Sequence, residues 1–260
     1  MSQLKFSANL SFLFLERAFL ERFAAARAAG FCAVEFHFPY TLAAVDIAAA
    51  ARQAGVEVVL FNLPAGDWDA GERGIACDPL RRMEFQDGVG RAIEYARALG
   101  CRQINCLAGL KPACVSVELA RQTLVENLRF AADRFQREGL RLLLEPLNTR
   151  DTPGFFLSRS DQALSILDEA ACDNLFLQYD VYHAQVMEGD LANTLERHLP
   201  RIGHIQIADN PGRHEPGSGE INYPFLFRHL ERIGYGGWIG CEYKPMITAE
   251  AGLGWLEGLR

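Results

Sequence analysis

With 260 residues, 49% of them hydrophobic and 23% charged, the sequence is long enough to bury a core of its own and has the composition of a globular protein. Its formal net charge of −7 argues against nucleic acid as a partner, because such binding depends on clustered Lys and Arg. No secretory signal is visible, and no apolar stretch approaches the ~20 residues that a membrane helix needs, so we expect no membrane association.

Eight short β-type runs alternate with longer amphipathic segments along the chain. In one such segment Val117, Ala120, Leu124 and Leu128 recur at steps of three and four residues, as one buried helix face requires. Strands that alternate with helices imply a parallel sheet, and eight such units in ~250 residues imply closure into a barrel. We therefore predict an α/β fold, a single (β/α)8 TIM barrel that occupies residues 1–260. The predicted strands are residues 5–8, 33–36, 56–62, 103–107, 141–145, 175–180, 204–207 and 238–242.

The alternative fold is an open, doubly wound sheet. Such a sheet normally has fewer strands, and for nucleotide binding it needs a glycine-rich first turn. The turn after the first strand, residues 9–12, contains no glycine, which favours the barrel.

The longest irregular stretch runs over residues 63–79 and includes Trp68. Connections of this length are usually functional. We interpret this one as a lid over the mouth of the barrel.

Four polar residues close the last four strands, and active sites of such barrels lie at these strand ends. They are Glu145, Asp180, Gln206 and Glu242. A single strand-end Glu is usually a cap or a surface ion pair, but four at equivalent places are less easily dismissed. Three carboxylates at one mouth repel each other unless a cation neutralises them. An all-oxygen donor set favours Mg²⁺ or Mn²⁺ over zinc, so we predict a divalent metal on these four residues.

Five further residues are candidates for substrate binding. His183 follows Asp180 by three residues, and Lys244 lies two residues past Glu242 on the same predicted strand face, where it would suit an anionic substrate. Arg213 lies in a polar loop that is equally compatible with a solvated surface. Asn9 and Asn62 close the first and third predicted strands.

The seven cysteines are odd in number, and no two have CxxC spacing. Several lie inside apolar segments, where a thiol behaves as a small hydrophobic group. We therefore expect a reduced, cytoplasmic protein without structural disulfides or a cysteine zinc site.

Several long motifs resemble the hydroxypyruvate isomerase family, which belongs to the xylose-isomerase-like barrels together with the ketose 3-epimerases. The resemblance covers essentially the whole chain, including the N-terminal segments FSANLSFLF and FNLPAGDW. Its most specific strings are LLLEPLNTRDTPGFFL, QYDVYHAQ, HIQIADNPGRHEPGSGEINYPFLF and GWIGCEYKP.

The resemblance implies that Glu145 and Glu242 are catalytic and that both share a divalent metal with Asp180 and Gln206. In the related epimerases the position matched by Gln206 is a histidine. The implied reaction interconverts hydroxypyruvate and tartronate semialdehyde through an enediolate.

Alternative functions differ in substrate or in class. A 2-oxo-tetronate isomerase would use the same chemistry on a four-carbon acid, with residues around Phe36, His37, Asn62, Trp68 and Phe155 setting the size limit. A ketose 3-epimerase is disfavoured by Gln206. An abasic-site endonuclease is disfavoured by the six histidines and the net charge of −7, and a non-catalytic sugar-acid binder would not need paired glutamates. Apart from the endonuclease, each of these functions has a small molecule as its partner, and a homo-oligomer is left open.

Overall fold

The computed structural model describes residues 4–257, which form a closed barrel of eight parallel strands in sequential order. The barrel closes because β1 pairs with β8, with Ala8 opposite Cys241. This closure confirms the predicted (β/α)8 barrel and excludes the open doubly wound sheet. The strands are β1 Lys5–Asn9, β2 Ala33–Glu35, β3 Glu57–Asn62, β4 Gln103–Leu107, β5 Arg141–Glu145, β6 Leu175–Asp180, β7 Ile202–Ile207 and β8 Trp238–Cys241.

Helices follow the strands and surround the barrel. Their ends carry the expected local signals: the Ser116 side chain accepts a hydrogen bond from Leu119 N at the start of α4, and Gly100 ends α3 in a left-handed conformation. The helices are α1 Arg22–Ala28, α2 Ala44–Ala54, α3 Arg82–Leu99, α4 Val117–Gln136, α5 Ser160–Ala170, α6 Val181–Met187, α7 Leu191–His198 and α8 Tyr223–Arg232. No helix in residues 4–257 combines the length and the apolar character that crossing a bilayer requires.

The interior of the barrel is polar, whereas the layer between strands and helices is apolar. Glu35 of β2 accepts hydrogen bonds from His204 and Gln206 of β7, a strand with which β2 does not pair, so these side chains meet inside the barrel. Barrels of this type usually fill that space with Val, Ile and Leu. Here the inner layer instead supports the polar groups at the C-terminal ends of the strands.

The connection between β3 and α3 is fastened to the end of β4. Gly74 donates its N–H to the carbonyl of Ala65, and a Cβ at Gly74 would lie 2.4 Å from the Leu107 carbonyl oxygen. Within this connection Trp68 packs at 4.9 Å against Phe38 and at 6.1 Å against His37. The connection between β3 and α3 therefore packs against residues at the mouth of the barrel, which is the position that a lid would need.

Gly74→Ala should destabilise the protein more than Gly71→Ala, by ~1–3 kcal/mol. Both glycines have positive φ, +118° and +95°, so both substitutions strain the backbone, but only at Gly74 does the added Cβ meet backbone atoms. Chemical denaturation of the two variants measures the difference. Equal losses of unfolding free energy would show that the loop is not clamped at this glycine.

Candidate active site

The C-terminal ends of the strands bring the predicted acidic residues into one buried group. Glu145 ends β5, Asp180 ends β6 and Glu242 directly follows β8, and each is at most 4% exposed. Burial at this depth removes the water that would otherwise stabilise three carboxylates. The arrangement therefore depends on the hydrogen-bond donors and cations around it.

Glu242 is surrounded by donors. Its Oε2 accepts from Asn9 Nδ2 at 2.7 Å and from Gln206 Nε2 at 2.5 Å, and its Oε1 accepts from an Arg213 N–H at 2.5 Å. His37 Nε2 lies 3.4 Å from Oε2. Burial alone would raise the pKa of Glu242, but His37 and Arg213 outweigh it and lower the pKa to about 2. Glu242 is therefore ionised at neutral pH.

Glu145 has the opposite environment. A single side-chain amide, Asn105 Nδ2, donates to its Oε2 at 2.7 Å. Burial raises the pKa of Glu145 well above its usual range, and the nearby charges of Glu242 and Asp180 raise it further. Two glutamates at one mouth thus differ in their tendency to hold a proton, which is the requirement for an acid and a base in one reaction.

Asp180 is fixed by the start of the helix that follows it. Its Oδ1 accepts the N–H groups of Tyr182 and His183 as the N-cap of α6, and its Oδ2 lies 3.5 Å from Arg213. Burial raises the pKa of Asp180 to about 7, and Arg213 opposes this rise. The Asp180 carboxyl consequently changes its protonation state near neutral pH.

Arg213 supplies a cation between two of the acids, and its side chain is 15% exposed. Its backbone has φ +58°, and its carbonyl accepts the Lys244 N–H at 2.7 Å, which directs the side chain into the mouth. The guanidinium lies over the rings of Phe12 and Tyr182, at 4.8 and 5.3 Å from their centroids. The sequence was equally compatible with a substrate-binding Arg213 and with an Arg213 on a solvated surface. The structure excludes the solvated surface.

His183 is held as a neutral ring with a defined proton. Its Nδ1 accepts from the backbone N–H of Asn148 at 3.1 Å, so the proton of the neutral ring lies on Nε2, 3.6 Å from Asp180 Oδ2. Burial lowers the pKa of His183 well below its usual range. The ring is therefore a hydrogen-bond donor at the mouth.

One cluster of this group can hold a metal ion. Glu145, Asp180 and His183 each offer a ligand atom, and these atoms lie within 4.8 Å of one another. The two buried carboxylates with raised pKa values fit a divalent cation, since it would supply the positive charge that they lack. His183 fits less well, because its Nε2 carries the proton.

The other two predicted ligands face different partners. Gln206 donates from Nε2 to both Glu242 and Glu35, and its Oε1 accepts from Gln178 Nε2 at 2.6 Å. Glu242 is paired with Arg213. The oxygen that Gln206 would offer to a metal is thus already engaged, and its ligand role stays a prediction.

The predicted substrate-binding residues differ in placement. Asn9 lies inside the cluster, where its amide nitrogen contacts the carboxylates of Glu35 and Glu242. Asn62 ends β3 and is buried, with its backbone carbonyl bonded to the Tyr40 hydroxyl. Lys244 is exposed and contacts the site through its backbone, so its side chain lies outside the buried group.

Sequence reasoning gave no catalytic, metal-binding or substrate-binding role to three residues that shape the mouth, although it named His37 among the size-limiting residues. His37 contacts Glu242, Asn105 holds Glu145, and Glu35 lies below both Asn9 and Gln206. The signal for Glu35 was present in the sequence as a charged residue inside an apolar run. The inclusion of Phe36 among the size-limiting residues was wrong, because its ring packs against Phe19, Phe23 and Phe61 in the core.

Comparison with known proteins places this geometry in a family. The family described as xylose isomerase-like TIM barrel matches residues 23–259. Hydroxypyruvate isomerase of Escherichia coli (strain K12) is 54% identical over 257 residues, 99% of this chain and 100% of that protein. A 2-oxo-tetronate isomerase of Cupriavidus necator is 51% identical over 253 residues, 97% of each chain. A crystal structure titled AP endonuclease, family 2, from Brucella melitensis is 45% identical with a TM-score of 0.96 and covers 100% of both chains.

Asp180→Asn should change how stability depends on pH in protein freed of metal by EDTA. A carboxyl whose pKa rises on folding, here from 3.8 to about 7, favours the folded state while it is protonated and loses that contribution as pH rises through the folded pKa. The unfolding free energy of the wild type should therefore fall relative to that of Asp180→Asn between these two pH values, by up to ~1 kcal/mol per pH unit. The control is Asp133→Asn, a change in an exposed carboxylate paired with Arg137. A difference between wild type and Asp180→Asn that stays constant with pH would refute the raised pKa.

Proposed function

This chain belongs to the xylose isomerase-like TIM-barrel family and is an isomerase related to the hydroxypyruvate isomerases, and on that premise we propose that it interconverts hydroxypyruvate and tartronate semialdehyde. The observation that carries the proposal is the pair of buried glutamates, Glu145 and Glu242, whose pKa values are displaced in opposite directions at one barrel mouth. An isomerisation of this kind removes a proton from one carbon and returns a proton to its neighbour. An ionised and a protonated carboxyl meet that need.

The ionised Glu242 acts as the base in this proposal. It takes a proton from the hydroxymethyl carbon beside the ketone, and the electron pair moves to the ketone oxygen as an enediolate forms. Glu145 returns a proton to the former ketone carbon; burial and neighbouring charges bias it towards its protonated form in the metal-free protein, whereas a bound metal would favour its ionised form. The hydroxyl proton moves between the two oxygens, and the Nε2–H of His183 is placed to steady that transfer.

Arg213 is our candidate for binding the carboxylate of the substrate. It is a cation at the mouth, and its buried Nε is without a hydrogen-bond partner among the described residues. A planar guanidinium also suits a carboxylate better than a point charge does. Lys244, which is exposed, would need to turn inward to take this role.

A divalent metal, Mg²⁺ or Mn²⁺, would be held by oxygens of Glu145 and Asp180, with Gln206 and Glu242 as the further ligands that the family resemblance implies. When bound, it would polarise the substrate oxygens and stabilise the charge of the enediolate. Arg213 already neutralises part of the carboxylate charge without it.

The second candidate substrate is 2-oxo-tetronate. It is supported by the relative that is 51% identical over 97% of both chains and is named for that activity. The four-carbon acid needs room for one more hydroxymethylene group, and residues around His37, Asn62 and Trp68 are our candidates for setting that limit. A pocket separates such substrates by only ~1–3 kcal/mol per group, so identity of this level supports both acids.

Duplex DNA is the less favoured substrate, although the solved relative at 45% identity carries an endonuclease title. The acidic residues at the mouth are at most 4% exposed, and the formal net charge is −7. Both features oppose a polyanion of the size of a DNA duplex.

Glu145→Gln and Glu242→Gln should each lower kcat by ~10²–10⁴-fold, because each removes one of the two proton-transfer groups while leaving the shape of the side chain. Turnover of hydroxypyruvate and the entry of solvent deuterium into substrate report the loss. Glu250→Gln, a change in an exposed glutamate eight residues beyond Glu242, is the matched control and should keep wild-type rates. Near-normal exchange in a folded variant of either glutamate would rule out the two-glutamate scheme.

Removal of metal should separate the contribution of a bound metal ion to turnover from the contribution of Arg213. We expect EDTA to lower turnover of both hydroxypyruvate and 2-oxo-tetronate, and added Mg²⁺ or Mn²⁺ to restore it, because the two carboxylates with raised pKa values lack positive charge. Side-by-side kcat/KM values then rank the two acids. Full activity of the EDTA-treated enzyme, with metal content verified by elemental analysis, would contradict the metal assignment.

A further inference from the structure

Glu35 is a fully buried carboxylate that the proposed chemistry does not use. It lies one layer below the mouth and accepts four hydrogen bonds, each from a different side chain. Its Oε2 accepts from Ser7 at 2.8 Å and from His204 at 2.8 Å, and its Oε1 accepts from Asn9 at 3.1 Å and from Gln206 at 2.8 Å. Such a charge in a barrel interior is costly unless every acceptor position is engaged, and here it is.

Strand β8, which does not pair with β2, leaves room for this side chain inside the barrel. A Cβ at Gly240 would lie 2.2 Å from Glu35 Oε1 and 2.4 Å from Oε2. Gly240 has no positive φ that would explain a glycine there by backbone conformation. The space that the glycine leaves is therefore the space that the carboxylate occupies.

Asn9 and Gln206 connect Glu35 to Glu242 in the same way. Each side chain donates one amide N–H to Glu35 Oε1 and the other to Glu242 Oε2, at 2.7 Å from Asn9 and 2.5 Å from Gln206. An ionised carboxylate only accepts, so Glu35 forces both amides to turn their nitrogen towards it. With the nitrogen turned that way, both amides also become donors to Glu242.

We infer that Glu35 is a positioning residue, which fixes the orientation of Glu242 through the amides of Asn9 and Gln206. This inference rests on the proposed role of Glu242 as the base. Without Glu35, either amide can turn its oxygen towards Glu242, which would repel the carboxylate and displace it from the reacting proton. A displacement of that kind costs rate far more than it costs substrate affinity.

The test is steady-state kinetics of Glu35→Ala and Glu35→Gln on whichever of the two acids the wild type turns over faster. Glu35→Ala should lower kcat by ~100-fold and change KM by less than ~3-fold, because only the base is displaced. Glu35→Gln should recover most of the rate, since its remaining oxygen can still accept from Asn9 and Gln206 while its nitrogen faces Ser7 and His204.

Gly240→Ala provides a second route if Glu35→Ala fails to fold, because the added methyl group displaces the Glu35 carboxylate. It should lower kcat at least ~10-fold. Gly236→Ala is the matched control in the turn before β8, where an added Cβ meets nothing within 4 Å, and it should retain wild-type kcat.

Non-additivity distinguishes positioning from general stability. In a Glu242→Gln variant Glu35 has no base to orient. Adding Glu35→Ala to that variant should therefore slow solvent deuterium exchange by less than ~3-fold. Wild-type kcat in folded Glu35→Ala or in Gly240→Ala, or a full additional loss in the double variant, would overturn the inference while leaving the proposed function intact. A wild type that turns over neither acid would overturn the proposed function, and the inference with it.

Discussion

The confinement of negative charge inside the barrel is the constraint on which the rest of the structure depends. Glu35, Glu145, Asp180 and Glu242 are each at most 4% exposed, so each carboxylate loses nearly all of its hydration. The chain meets this cost with amides, the partly buried guanidinium of Arg213 and a helix N-terminus rather than with apolar packing. That explains a barrel interior of Ser, Asn, Gln and His side chains where aliphatic residues are usual.

Unequal distribution of these donors produces the chemical asymmetry of the site. Glu242 has two amides, Arg213 and His37 around it, whereas Glu145 has Asn105 and two like charges. Burial acts to raise both pKa values, but His37 and Arg213 lower that of Glu242 overall, whereas the charges of Glu242 and Asp180 raise that of Glu145 further. Two residues of one type at equivalent strand ends acquire the opposite protonation states that a proton shuttle between adjacent carbons requires.

Strand positions and strand-end residues followed from the sequence because both depend on local hydrophobic pattern and barrel periodicity. Residues 103–107, 141–145 and 175–180 were predicted with their observed bounds. Loop residues could not be placed this way: Arg213 enters the mouth through a left-handed backbone turn. Lys244 was assigned by strand parity, but β8 ends at Cys241, so the parity no longer applies and its side chain is exposed. The sequence pattern could not predict the orientation of the Asn9 and Gln206 amides either, since we infer that it depends on Glu35 of β2, which faces both side chains inside the barrel.

The orientation of Gln206 also bears on how this chain would hold a metal. The family resemblance implies a metal ligand at this position, yet a ligand must present Oε1, and that oxygen accepts from Gln178 while Nε2 faces two carboxylates. Turning the amide would place its oxygen against Glu35 Oε1 and Glu242 Oε2, both of which only accept. A cation would therefore have to compensate two lost charge-assisted hydrogen bonds in order to recruit Gln206. Glu145 and Asp180 carry no such opposing requirement, because burial leaves both short of positive charge. The cluster that could hold a metal ion therefore lies at the ends of β5 and β6, whereas on β7 the Gln206 amide is engaged with Glu35 and Glu242.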